Sequence, residues 1–307
     1  MAKGTRGCPY AGITKFSEIK GLHQGDKVSA QAVFGTLQCR HACRGEHGMH
    51  WNHSIISADR ALDRKAAITK NFHHLGLEPH FSPAIMGDEL SPGELAKLAG
   101  DHGLLTKGEI GCALSHLKIY RDFLATDAPY WFVFEDDIQL TKEFVRDLPR
   151  ICAFMDARRG PCALLLKKIH GHARVVHEVH QGYHILHSLA GSTAYAYVIN
   201  RRAAENVLQA QTPVKFEIDA WAIYQNLGYL KLYSTCPAYV TMNEEVASHS
   251  LIDQIDARYT LSSKDVKRIK DRHVKYLYDQ NNWSRKLYLQ KERLKRHLQE
   301  LYYHKYE

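Results

Sequence analysis

The sequence predicts an α/β fold, and three stretches carry that prediction. Residues 130 to 134 are apolar, aromatic or β-branched throughout and run directly into three acids, Glu135-Asp136-Asp137. Such a run suits a strand covered on both faces. Asp127-Ala128-Pro129 ahead of it is a turn signal, and Thr141-Lys142-Glu143-Phe144 behind it opens a helix with Thr141 as N-cap. Cys162-Ala163-Leu164-Leu165-Leu166 reads as a second buried strand. Ala61, Leu62, Ile68, Phe72 and Leu75 recur at helical spacing, which predicts an amphipathic helix over 60–75 closed at Gly76. Strand, acidic tip and helix in that order form an α/β unit, and in such sheets ligands gather at the carboxyl ends of the strands.

The acidic tip is the most informative feature. Three adjacent carboxylates repel one another, so their alignment at a strand end points to a divalent cation that neutralises them. Magnesium and manganese favour carboxylate and phosphate oxygens, which makes a nucleotide diphosphate a fitting ligand. The competing reading is that the acids only end a strand and cap the next helix.

A chain of 307 residues with 45% hydrophobic content accommodates one large domain with additions or two modest ones. No stretch approaches the roughly 18 to 20 apolar residues that span a bilayer. Residues 1–48 are polar, glycine-rich and basic, without the apolar core of a secretory signal, and are expected to form a poorly ordered extension. The folded domain is expected over 49–260 and a basic helical tail over 261–307.

Charge is concentrated in that tail. Residues 264–307 hold 13 Lys or Arg against 6 Asp or Glu, a net of +7 in a chain whose total is +8. Val274, Leu277, Tyr278, Leu287, Tyr288, Leu294, Leu298, Leu301 and Tyr302 interleave with the bases, the pattern of amphipathic helices that settle on an anionic surface. A tail packed on the domain or on a second subunit is the alternative. No nucleic-acid module signature accompanies the charge, so no nucleic-acid partner is expected. Seven cysteines, an odd number with several in apolar contexts, favour reduced thiols and a cytoplasmic protein. Cys39, Cys43 and His47 have atypical spacing for zinc. The histidines over 170–187 alternate with valines as in a polar hairpin or an acceptor-facing loop.

The segment Gly108-Glu109-Ile110-Gly111-Cys112-Ala113-Leu114-Ser115-His116, followed by the acidic strand, closely resembles glycosyltransferase family 25, the lipooligosaccharide galactosyltransferase-like enzymes. Ile55-Ile56-Ser57-Ala58-Asp59-Arg60 with Asp63-Arg64 resembles the family's opening strand and loop. Phe81 to Gly87 is similar to its Ala-Ile-Asp-Gly segment, with Met86 where an Asp is usual. The resemblance covers about residues 51 to 255.

It implies a GT-A-like fold with a mostly parallel central sheet between helices, and a UDP-sugar held by Mn2+ or Mg2+ at the strand tips. Asp137 and Asp136 are the implied metal ligands, with His249 as a candidate third. Ser57, Arg60, Arg64, Ala84, Glu109, Ser115, His116, Glu135 and Asp136 are the implied donor contacts. Glu109 equally suits a helix dipole, and His116 a structural role. Inverting transfer needs a carboxylate to take the acceptor proton. Asp219 is the first choice and Glu217 the reserve, with a helix N-cap as the other use of either. Trp221 suits a sugar face or the core equally.

The expected activity is transfer of a hexose, galactose from UDP-galactose by family habit, to a lipooligosaccharide or lipopolysaccharide acceptor, with inversion, at the inner face of the inner membrane. UDP-glucose or a UDP-N-acetylhexosamine are alternative donors. A non-catalytic, membrane-associated carbohydrate-binding scaffold is the alternative from another class.

Overall fold

The computed structural model describes residues 51–99, 104–243, 246 and 262–306. The expected extension over 1–48, the Cys39–Cys43 segment and His249 lie outside the described residues.

One nine-stranded sheet organises the chain. β1 (His53–Ser57) leads through α1 (Leu62–His74) to β2 (Phe81–Pro83), and α2 (Pro92–Leu98) and α3 (Lys107–Leu124) precede β3 (Tyr130–Glu135). A short β4 (Ile138–Leu140) then stands between the acids and α4 (Lys142–Asp156), an element the sequence reading did not separate from the helix start. β5 (Cys162–Leu165), the hairpin β6 (Gly171–His180) and β7 (Tyr183–Ser188), β8 (Ala196–Asn200), α5 (Arg201–Ala210), α6 (Trp221–Asn226), β9 (Lys231–Cys236) and β10 (Val240–Met242) follow. The tail supplies α7 (Ser263–Asp279), α8 (Trp283–Glu300) and β11 (His304–Tyr306).

The strand order is β11-β6-β7-β9-β5-β8-β3-β1-β2. β1 pairs in parallel with β2 and β3, and β5 with β9, while β8 runs antiparallel between β3 and β5. Following the pairings outward, β7 and β11 also run against the rest, so six of the nine strands point one way and the sheet is mostly parallel in direction. The histidine-rich stretch forms the β6–β7 hairpin, turned at Gly182 with φ +80°.

Alternation along the central strands sends side chains to two cores. Phe132, Phe134, Leu164 and Val198 join Phe72, Phe144 and Leu148 on the α1/α4 face. Val133, Leu165, Tyr197 and Ile199 join Leu114, Leu117 and Val207 on the α3/α5 face. Both faces of the sheet are thus dry, which is why these strands read as continuous apolar runs. On α1, Ile68 and Phe72 are buried, but Leu62 is 70% exposed, because it stands at the first helical position beyond the core edge.

The tail packs on the body. Ile269 reaches the α3/α5 core, and Leu277 buries with Ala210, Phe216 and Leu227. α8 docks through Leu289, and β11 adds an edge strand to β6. Gly228, at φ +66°, accommodates this docking: a Cβ there would sit 2.6 Å from Leu289 Cδ2.

Candidate functional site

The acids occupy the carboxyl end of β3, and two separate pairings fix them there. Glu135 ends a strand clamped between β1 and β8, and its amide donates to Tyr195 O at 2.8 Å. β4 pairs antiparallel with β10 away from the main sheet, so Asp136 and Asp137 bridge two anchored strands. Asn71 of α1 ties the helix to this turn, accepting from Leu140 N at 2.9 Å and donating to Leu140 O at 3.2 Å. Thr141 is the N-cap of α4, accepting from Phe144 N at 3.3 Å.

Anchoring α1 in this way sets Arg64 against the acids. Its Nη2 donates to Asp137 Oδ2, and its Nε lies 3.1 Å from Asp136 Oδ1. Ser57, at the tip of β1, donates to Asp136 Oδ2 at 2.5 Å. Asp136 and Asp137 are nevertheless buried, at 4% and 8% exposure. Burial, opposed by the Ser57 hydrogen bond and Arg64, raises the Asp136 carboxyl above its ordinary range. Burial and the neighbouring Glu135 push Asp137 up to about 6 despite Arg64. One arginine therefore leaves this cluster short of positive charge.

That shortage bears on a metal. Asp137 Oδ1 is buried with no hydrogen-bond partner. An orphaned carboxylate oxygen beside a second buried carboxylate is a donor set that suits a hard divalent cation. A second group, Cys112 Sγ, His116 and Glu135, lies within 4.8 Å of one another. Burial and then the carboxylates of Glu135 and Asp219 raise the Cys112 thiol well above its ordinary range, so it stands as a neutral thiol, a poor ligand for magnesium or manganese.

A narrow slot of about 90 Å³ opens beside the acids, between the tip of β1 and the 84–87 loop, with Ile56, Ala84, Met86 and His116 among its walls. The loop is held by α3. Ser115 donates to Gly111 O at 2.7 Å and accepts from Ile85 N at 2.8 Å, so its hydroxyl positions the loop. Two glycines permit the approach: a Cβ on Gly111 would lie 2.5 Å from Ile85 O, and one on Gly87 1.8 Å from Lys107 O. Ala84 N donates to Ser57 O at 2.9 Å, which closes the slot against β1.

His116 is fully buried. Its Nδ1 meets Tyr197 Oη at 2.8 Å, Tyr197 Oη meets Tyr120 Oη at 2.7 Å, and its Nε2 lies 3.4 Å from Glu135 Oε1. The histidine thus links the core to the first acid of the tip. Glu109 accepts from Thr106 N at 2.8 Å while Thr106 accepts from Glu109 N at 3.1 Å, a capping box that employs this carboxylate at the helix start. Arg60 stands outside the slot, half exposed, paired with Asp88 at 3.4 Å.

Asp219 and Glu217 separate in the fold. Asp219 accepts from Thr193 N at 2.8 Å, and the cap of α6 is Ala220, so neither acid is the N-cap. Glu217 pairs with Lys270 of α7 at 2.6 Å. Trp221 is fully buried and donates to Thr193 O at 2.9 Å, which makes it a core residue. Lys167, which the sequence did not single out, stands beside Tyr195 of the small-residue and aromatic segment 190–199. Lys167 donates to Thr193 Oγ1 at 3.0 Å and lies 4.9 Å over the Tyr195 ring. Asp137 and Glu135, after burial, raise the Tyr195 phenol, which sets this group beside the acids. The position of Lys167 just past a buried strand was the available signal.

A model of glycosyltransferase family 25 (LPS biosynthesis protein) matches residues 50–222. A glycosyltransferase 25 family member from Aedes aegypti is 34% identical over 116 residues, covering 34% of this chain and 19% of that protein. The lipooligosaccharide biosynthesis protein lic2B of Haemophilus influenzae is 31% identical over 94 residues, 30% of this chain and 35% of that protein. The inactive glycosyltransferase 25 family member 3 of Mus musculus is 39% identical over 107 residues, 32% of this chain and 18% of that protein. The chain therefore spans between about a fifth and a third of the length of these curated relatives.

Proposed function

Because the chain belongs to glycosyltransferase family 25, we propose that it transfers a hexose from a UDP-sugar to a saccharide acceptor of lipooligosaccharide or lipopolysaccharide, with inversion. The observation that carries the reading is the buried pair Asp136 and Asp137, short of positive charge and holding an orphaned oxygen at the mouth of a slot. Galactose as the sugar follows from the family resemblance.

In this reading the slot between Ser57 and Ala84 takes the flat base of the donor, and its diphosphate lies toward the acids. Asp137 and Asp136 would hold Mn2+ or Mg2+, which supplies charge neutralisation for the departing nucleotide. Arg64 orients both carboxylates, and Ser57 fixes Asp136 from the other side. Lys167 offers a further cation at the edge of the site. Asp219 takes the proton of the acceptor hydroxyl as the new glycosidic bond forms, while its bond to Thr193 N holds the carboxylate in place. Glu217, neutralised by Lys270, is a poorer base.

Attachment to an anionic membrane surface is proposed for the tail. Trp283, Leu287, Leu294, Leu298 and Leu301 are 78%, 59%, 62%, 48% and 71% exposed and fall on one face of α8 and its C-terminal cap. Lys291 and Lys295 flank the stripe on one side and Lys286 and Arg293 on the other. An apolar stripe bordered by cations matches a helix lying in the headgroup region. In this reading the enzyme works at the inner face of the inner membrane, next to a lipid-linked acceptor. No described helix is long and apolar enough to cross a membrane.

A second reading, a non-catalytic scaffold that retains the fold, is favoured by the relative named inactive. The discriminating measurement is UDP release from a panel of UDP-sugars with and without manganese, for the parent and Asp137→Ala. Metal-dependent turnover of one donor that vanishes in the variant supports transfer. Absence of both turnover and donor binding supports the scaffold.

A further inference from the structure

We propose that the cationic cavity between α8 and the amino ends of β5 and β9 binds a phosphate-bearing anion, a phosphomonoester or a diphosphate. The cavity measures about 450 Å³, ample for such a group. Arg158, Arg159, Lys231, Lys295 and Arg296 line it, and Glu292 is the one carboxylate residue among its walls. Among the described residues none of the five cations makes an ion pair. Arg158 Nε is buried without a hydrogen-bond partner, and its guanidinium lies 4.5 Å over the Phe154 ring, which fixes its plane.

Topology separates this cavity from the acids. Cys162 and Lys231 begin the parallel strands β5 and β9, whereas Glu135 ends β3, which runs in the same direction. The two sites therefore lie at opposite ends of the strands, a strand length or roughly 20 Å apart. Gathering five like charges from the α4–β5 turn, β9 and α8 is unfavourable unless a counter-charge enters, and guanidinium forks suit phosphate oxygens. His187 on the cavity wall senses the field. Burial first, then Lys231, Arg174, Lys295 and Arg296, hold its imidazole down at about 4.

The test titrates inorganic pyrophosphate into the full chain at low salt with EDTA, followed by calorimetry and by the imidazole NMR signals of His187. The parent should bind saturably, with the His187 pKa moving upward as the anion offsets the cations. Arg159→Gln/Lys231→Gln/Lys295→Gln, at three exposed positions, should lose affinity about tenfold or more with its thermal midpoint kept. Lys231→Gln alone serves if the triple variant unfolds, and should weaken binding in the same direction. Asp137→Asn should bind as the parent does, which sets this site apart from the proposed donor site.

No saturation at millimolar pyrophosphate, or equal affinity in the cavity variants, overturns the proposal. Vesicles containing phosphatidic acid, whose headgroup is a phosphomonoester, then distinguish the sources. Displacement of bound vesicles by pyrophosphate identifies a lipid headgroup as the anion, and vesicle binding indifferent to pyrophosphate identifies a soluble phosphorylated ligand.

Discussion

Asp137 holds a buried carboxylate next to two others, so replacing it by asparagine removes charge while leaving shape nearly unchanged. Its carboxyl is pushed up to about 6 by burial and by Glu135. The shift of about two units from an ordinary aspartate corresponds to about 3 kcal/mol. The folded chain therefore binds this proton more tightly than the unfolded chain. The associated stability is fully present below about pH 4 and is lost as pH rises through about 6. Asparagine imitates the protonated form at every pH. In EDTA, Asp137→Asn should match the parent near pH 4 and exceed it by about 3 kcal/mol above pH 7.

His53 and His187 work in the opposite sense. Each is held down at about 4, by burial first, so the unfolded chain binds their protons more tightly between about 4 and 6.5, and stability rises with pH there. These slopes are common to both proteins and cancel in the difference. Urea denaturation of parent and variant at several pH values from 4 to 8 supplies that difference. A flat difference, or a variant less stable than the parent at pH 7.5, would refute the reasoning and mean that the Arg64 ion pair outweighs burial. The same substitution should abolish any stabilisation by manganese, exchanging function for stability.

Other perturbations probe the remaining parts of the site. Gly111→Ala places a Cβ 2.5 Å from Ile85 O, a backbone atom that cannot swing aside, and should cost about 1–3 kcal/mol in a denaturant titration. Tyr197→Phe leaves Tyr120 and His116 without a buried partner and should cost about 1–3 kcal/mol, read by thermal unfolding. In a transfer assay, Asp219→Asn should lower kcat by about 10²- to 10⁴-fold with donor affinity kept. Glu217→Gln should change it little, since it breaks only a partly exposed pair with Lys270, worth at most about 1 kcal/mol. Leu294→Gln/Leu298→Gln should release the chain from phosphatidylglycerol vesicles in a sedimentation assay without moving the thermal midpoint, because both side chains are about half exposed or more.

By itself the sequence determined the features that depend on neighbours along the chain. Phe132 to Phe134 and Leu164 to Leu166 are apolar at consecutive positions because both faces of the sheet are covered, and that pattern is local. Thr141 announced its cap, Gly76 its turn at φ +71°, and the three acids their place at a strand end. Contacts between distant segments decided the rest. Glu109 and Ser115 share a motif with His116, yet one closes a capping box and another holds a loop, because only the packing of α3 on residues 84–87 fixes where each side chain is used. Asp219 and Glu217 are two residues apart and chemically alike. Lys270, 53 positions away, neutralises Glu217 and leaves Asp219 facing Thr193. The tail reads as one amphipathic run, but Leu277 and Leu289 are buried while Leu294 and Leu298 are exposed. Helical spacing defines an apolar face; which face meets the body and which meets solvent is settled by the surface the helix docks on, and no window of sequence contains that surface.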